Sequence, residues 1–242
     1  MVKMVLKAVL FDLHGTLAYV AKPKSSEEIS DFLLKRGYEV YPQSLDAASH
    51  FVSMIDYPKY GYASWQEYLK QVIHRLDVEI DAEILRELAT LYQRHNSYVL
   101  YPDAAPAVKR AKQLNLKTAI VTTIARFIFQ PAISSIQQYF DVVTTGYEAG
   151  CDKSNPKMHK QTIKELGVLP GEAVMIGDEP LVDIKIPKKL GMHTILLDRG
   201  DKISSKLPEA DARTLTLTEA LNLIGKWQTR RGTNNKHNKP RA

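Results

Sequence analysis

The stretch Ala8-Val9-Leu10-Phe11-Asp12-Leu13-His14-Gly15-Thr16-Leu17 decides how the chain is read. Its four leading apolar residues are too few for a helix, and an acid followed closely by glycine ends the run as a strand ends in a turn. The same form recurs twice. Thr118-Ala119-Ile120-Val121 leads into Thr122, and Val174-Met175-Ile176-Gly177 leads into Asp178, with Asp183 five residues further on. Lys153 lies between these two segments. In an open α/β sheet the carboxyl ends of the strands face one crevice, so groups distant in sequence meet around one ligand. The ordered set of a carboxylate, a hydroxyl, an ammonium and a carboxylate pair suits a covalent phosphoryl intermediate beside a divalent cation.

Working outward, the sequence changes character twice. From about 25 to 96 it is helical throughout: Ile29, Phe32 and Leu33; Leu45, Ala48, Phe51, Val52 and Ile55; Trp65, Leu69, Val72, Ile73 and Leu76; Ile84, Leu85, Leu88, Leu91 and Tyr92. Spacings of three and four place each set on one helix face. Ser25-Ser26-Glu27-Glu28 and Ser44 suit helix starts, while Gly37, Pro42, Pro58 and Gly61 fall between segments, giving four helices that suit a small bundle. After Tyr101-Pro102-Asp103, short apolar runs near 117–121, 140–143, 173–177 and 193–197 alternate with amphipathic segments near 104–114, 125–139, 156–166 and 181–190. That alternation predicts an α/β fold, a doubly wound parallel sheet of Rossmann-like kind. The first strand, near 5–11, has no partner before the helical block. Residues 1–20 and 98–228 are therefore expected to share one core, with 21–97 inserted as a helical cap and 229–242 as a tail.

Composition excludes several classes. The apolar fraction of 44% and charged fraction of 25% are those of a soluble globular protein. No apolar run approaches the roughly 20 residues that span a bilayer and no secretory leader is visible, so the expectation is a cytoplasmic protein with no membrane partner. Cys151 is the single cysteine, which excludes an intrachain disulfide; it is read as a passive thiol, although Lys153 nearby could activate it. Of the net charge of +6, Arg230, Arg231, Lys236, Lys239 and Arg241 supply five units. Such a tail is expected to be disordered, with nucleic acid as the partner it would attract if it has one.

Together these residues resemble the haloacid dehalogenase superfamily of hydrolases, through four motifs in order. Asp12-Leu13-His14-Gly15-Thr16 is similar to the family's Asp-x-x-Gly-Thr core, Val121-Thr122-Thr123 to its second motif, Lys153 to its third, and Gly177-Asp178 with Asp183 to its fourth. The flanking Gly167-Val168-Leu169-Pro170-Gly171-Glu172 and Leu190-Gly191-Met192 resemble its connectors. The resemblance implies a magnesium-dependent hydrolase of small phosphate monoesters. Asp12 would be the nucleophile, and magnesium would be held by the Asp12 carboxylate, the His14 backbone carbonyl and Asp178, with Asp183 on the metal or its water. Thr122, the Thr123 backbone amide and Lys153 would bind the phosphoryl oxygens.

His14 departs from the pattern, because family phosphatases usually carry an aspartate there as general acid and base. Imidazole can do the same work. Haloacid dehalogenase-like or phosphonate-cleaving chemistry, or a slow member acting mainly by binding, are the alternatives; retention of Asp178 and Asp183 favours phosphate. Thr123 and Ser154 are smaller departures. Arg126 is either an anion clamp or, as favoured, a solvated helix residue, and Tyr19, Lys22 and Lys24 are either substrate contacts or surface residues of a hinge. His50, His74, His95 and His159 share no ligand spacing and are read as surface or interface residues.

Overall fold

The computed structural model describes residues 5–201 and 209–229. The basic residues of the C-terminal stretch lie outside them. In chain order the strands are β1 (Ala8–Phe11), β2 (Ala18–Val20), β3 (Tyr98–Leu100), β4 (Lys117–Val121), β5 (Val142–Thr144), β6 (Ala173–Gly177), β7 (His193–Leu197) and β8 (Ala212–Thr214). Six of them form one sheet in the order β5-β4-β1-β6-β7-β8, with every pairing parallel. β1 is central, and the chain winds to β4 and β5 on one side and to β6, β7 and β8 on the other.

Period-two alternation divides the β1 side chains between two layers. Val9 and Phe11, with Ile120, Val174 and Ile176, face α6 (Ala104–Gln113) and α11 (Leu217–Thr229). Ala8 and Leu10, with Ala119, Val121 and Met175, face Met158, Ile163 and Leu166 of α9 (Pro156–Leu166). Helices on both faces explain why the strands read as unbroken apolar runs.

Two expected helices are broken. The segment 125–139 divides into α7 (Arg126–Ile133) and a tight turn at Gln137–Tyr139. The segment 181–190 opens as a π-helical stretch, Pro180–Lys185, before α10 (Ile186–Lys189), where Pro187 cannot donate the hydrogen bond of an uninterrupted α-helix. The expected strand near 140–143 starts two residues later, at Val142. β2, β3, β8 and α11 were not anticipated as separate elements, and α8 (Gly146–Ala149) is a single turn after β5.

The helical segment comprises α1 (Ser26–Leu34), α2 (Pro42–Phe51), α3 (Tyr57–Tyr60), α4 (Trp65–Arg75) and α5 (Ala82–His95). Ser25 and Glu28 form the capping box that starts α1. Ser44 does not start a helix: α2 begins at Pro42, whose fixed φ suits the first turn and whose missing N–H costs nothing there. Pro58 does not interrupt the chain either. A π-helical stretch at Val52–Asp56 carries α2 directly into α3, and Gly61, at φ 66°, ends it. These helices bury their own apolar cluster around Leu33, Leu45, Leu69, Val72 and Leu88. The chain leaves the core through β2 and returns through β3, and the two strands pair antiparallel, Val20 opposite Tyr98.

Candidate active site

Three strand ends bring the expected residues together. Asp12, just beyond β1, donates its amide to the Ile176 carbonyl at 2.9 Å, and Thr122, just beyond β4, donates to Thr144 at 3.0 Å. Asp178 follows β6, and Asp183 returns from the π-helical stretch to lie beside it. Oxygens of Asp12, Asp178 and Asp183 all lie within 4.8 Å of one another. Lys153 Nζ bridges two of them, pairing with Asp12 Oδ1 and lying 2.9 Å from Asp183 Oδ1. Asp183 is held further by the Glu179 amide, which donates to its Oδ2 at 3.1 Å.

The surrounding backbone is shaped for this crowding. Gly15 has φ 77°, and a Cβ built on it would stand 2.6 Å from Asp178 Cγ, so only glycine lets that carboxylate approach. Gly177 does the same for Asp183, whose own Cβ would lie 2.6 Å from an added one. Thr16 donates its hydroxyl to Asp178 Oδ1 at 3.4 Å. Arg199 stacks over the Tyr101 ring and ties the Thr16 carbonyl, at 2.7 Å, to Asp103.

Electrostatics follow from one cation among three acids in a largely buried cleft. Burial, with the Asp12 charge adding to it, pushes the Asp178 carboxyl up to about 6. Complete burial likewise raises Asp183 well above the usual carboxylate range, with Lys153 opposing and Asp12 adding. Burial alone would lower the Lys153 ammonium, but Asp12 and Asp183 outweigh it and hold the lysine charged above its ordinary value. The donor set is all oxygen and, with every group ionised, leaves two negative charges in excess once Lys153 is counted. A hard divalent cation fits it: such an ion accepts carboxylate ligands and relieves the repulsion that otherwise drives proton uptake.

Thr122 Oγ1 accepts the Ile124 amide at 3.3 Å, which leaves its hydroxyl hydrogen free to donate. Thr123 adds more than a backbone amide: its Oγ1 accepts the Lys153 amide at 3.1 Å and so positions the lysine loop. His14 is exposed at the mouth, with Nδ1 3.1 Å from the Tyr98 hydroxyl and the two rings edge to face. Tyr98 is the residue that the sequence reading missed. Its one signal was the short Tyr-Val-Leu run at the exit of the helical block, readable as a partner for residues 18–20.

Other candidates fall elsewhere. Arg126 turns to Glu148 and, at 3.1 Å, to the Val143 carbonyl. Lys24 pairs with Glu28, Lys22 is exposed, and Tyr19 stacks on Tyr101 with ring centroids 4.7 Å apart. His159 is not a surface or interface residue: it is fully buried on α9, neither ring nitrogen has a partner among the described residues, and burial with the nearby Lys153 charge pushes it down to about 3. Cys151 is raised by burial, and the cation that opposes the shift is Lys157, not Lys153. Among the described residues, no histidine or cysteine joins a metal-ligating group.

A cavity of about 350 Å³ lies between the core and the helices and meets the site through Tyr98, which contacts His14, and Thr123, which holds the Lys153 amide. Tyr98, Thr123 and Ile124 form its core side, and Trp65, Tyr68 and Tyr92 its helical side.

Residues 6–191 match the haloacid dehalogenase-like hydrolase family. The chain belongs to that family. A phosphoserine phosphatase of Thermus thermophilus is 27% identical over 235 residues, spanning 89% of this chain and 92% of the relative. The crystal structure of a HAD phosphatase from Thermococcus onnurineus superposes with a TM-score of 0.65 at 27% identity, covering 91% of this chain and 98% of that one. A 2-haloacid dehalogenase of Pseudomonas syringae gives 0.70 at 18% identity, over 92% and 99%, and shares the fold. The architecture is thus shared with a phosphatase and with a dehalogenase. No helix among the described residues is long and apolar enough to cross a membrane.

Proposed function

We propose that the chain is a magnesium-dependent hydrolase of small phosphate monoesters that works through an aspartyl-phosphate on Asp12. The observation that carries this reading is the cluster of Asp12, Asp178 and Asp183 with Lys153 bridging two of them. Displacement at a carbon–halogen bond needs no divalent cation, and so no metal-binding pair such as Asp178 and Asp183. The Asp12 and Asp178 carboxylates and the His14 carbonyl would hold magnesium, with Asp183 beside it, and the ion would offset charge between nucleophile and phosphate.

The residues divide the remaining work. An oxygen of Asp12 forms a bond to phosphorus as the bond from phosphorus to the ester oxygen breaks. Lys153 and the free hydroxyl hydrogen of Thr122 take the phosphoryl oxygens, while Thr123 keeps the lysine in place. The departing ester oxygen receives a proton from His14, and His14 then takes one from the water that attacks phosphorus and releases Asp12. Tyr98 steadies the imidazole at Nδ1, which turns Nε2 to the reaction. Residues 21–97 act as the cap over this crevice, and closure excludes water during the exchange.

Hydrolysis of a panel of phosphate esters, with and without magnesium, tests the reading. Wild-type protein should need the ion, and Asp12→Asn should be inactive while keeping its circular dichroism spectrum. Wild-type rates in Asp12→Asn would sink the covalent mechanism.

A further inference from the structure

The cavity that Tyr98 and Thr123 link to the carboxylate cluster has a chemical character that the phosphate site does not determine. Its helical wall is aromatic: Trp65 packs edge to face on Tyr68 at 5.8 Å and lies 5.4 Å from Tyr92. Ser49 and Ser53 add hydroxyls. Of the described residues that line the cavity, none is Lys, Arg or His, and Asp46, which accepts a hydrogen bond from Ser26, is the one ionised side chain. Three cations of the surrounding segments are paired with acids: Arg126 with Glu148, Arg75 with Asp56 and Lys24 with Glu28. Burial raises the Tyr92 hydroxyl, and the field of Asp46 adds to that, so the wall offers hydroxyls and ring faces but no positive charge.

We infer that this cavity receives the alcohol half of the substrate and that this alcohol bears no anionic group: it is uncharged or carries an ammonium, on an apolar or aromatic body. A carboxylate placed there would surrender its water without gaining a cation, and Asp46 would repel it. An ammonium would meet ring faces and Asp46. The volume suits a small molecule. The inference takes its reaction from the phosphatase reading, but the binding preference stands apart from catalysis.

Trp65 supplies the readout. The chain has two tryptophans, and the other, Trp227, lies on α11 against His193. In a Trp227→Phe, Asp12→Asn variant with magnesium, Trp65 emission is titrated with matched esters that differ by one carboxylate. The pairs are phenyl phosphate against 4-carboxyphenyl phosphate, and phosphoethanolamine against phosphoserine. The ester without the carboxylate should bind at least about tenfold more tightly in each pair. Asp46→Lys, at an exposed position on the rim, should narrow the gap. Equal or tighter binding of the carboxylated esters, a gap undiminished by Asp46→Lys, or no emission change with any ester overturns the inference. If the expected order appears but wild-type protein hydrolyses none of the four, the phosphatase reading falls and the cavity's preference stands.

Discussion

The Tyr98 hydroxyl lies 3.1 Å from His14 Nδ1, across 84 residues of sequence, and joins the strand that re-enters the core to the loop that follows Asp12. Burial, with the Asp12 charge adding to it, raises the phenol above its ordinary range, so Tyr98 stays protonated at any working pH. His14→Ala should slow alkyl phosphate hydrolysis by about 10²–10⁴-fold, the usual worth of general acid–base help, and barely affect nitrophenyl phosphate. Tyr98→Phe should show the same leaving-group dependence at about a tenth of that size. Equal losses across leaving groups would reduce both residues to supports of the loop.

Asp178 and Asp183 make the metal-free protein sensitive to pH. Their folded-state values are raised, so between about pH 4 and 7 the native state binds more protons than the unfolded chain, and stability falls as pH rises through that window. The melting temperature in chelator should therefore climb as pH is lowered from 8 towards 5. Magnesium should raise it most at the alkaline end, where the carboxylates are ionised. A chelated protein most stable at pH 8 would contradict the crowding of these acids.

Gly15→Ala adds a methyl group where φ is 77° and Asp178 already occupies the space. The strain should cost about 1–3 kcal/mol, and Asp178 must retreat. Calorimetry should record weaker magnesium binding together with a lower melting temperature; normal binding with only a lower melting temperature would separate the loop from the metal ligands.

Arg199 is the remote support of the same loop. Its guanidinium bonds Asp103 at 2.8 Å and the Thr16 carbonyl at 2.7 Å, and Asp103 also caps the start of α11 through the Leu217 amide. Removing one member of a largely buried pair leaves the other uncompensated, so Asp103→Ala should destabilise by about 3 kcal/mol. Arg199→Ala should lose less stability than Asp103→Ala, because α11 keeps its cap. Chemical denaturation of the two variants checks that order.

Asp12, Thr122 and Asp178 could be read from the chain because each stands where a strand stops, and a strand end is a local event written in a few residues; Lys153, in the turn before α9, and Asp183, in the π-helical stretch, were legible only through the order of the motifs. Tyr98 could not, because its value comes from pairing with Val20 and reaching His14, both distant in sequence. The aromatic wall was visible only in part, as helical periodicity: Trp65 and Tyr92 look like core positions, and part of each is, while Tyr68 stood outside the periodic sets. His159 misled in the opposite direction. The lack of any ligand spacing pointed to the surface or an interface, yet its face of the helix lies against the sheet with Met158 and Thr162.

The pairing of Val20 with Tyr98 means that the excursion through the helices begins and ends at adjacent points. A chain that departs and returns at one spot can be lengthened, shortened or exchanged there without disturbing the strands on either side, much as a loop tip accepts an inserted domain. A short turn joining residue 20 to residue 98 would leave the six-stranded sheet continuous and expose Trp65's partner Phe127, which becomes the scar of the excision. On the proposed function, the carboxylates and the aromatic wall of the crevice would sit on separately heritable pieces, and a lineage could change what it hydrolyses by trading the excursion while the chemistry stayed where it was.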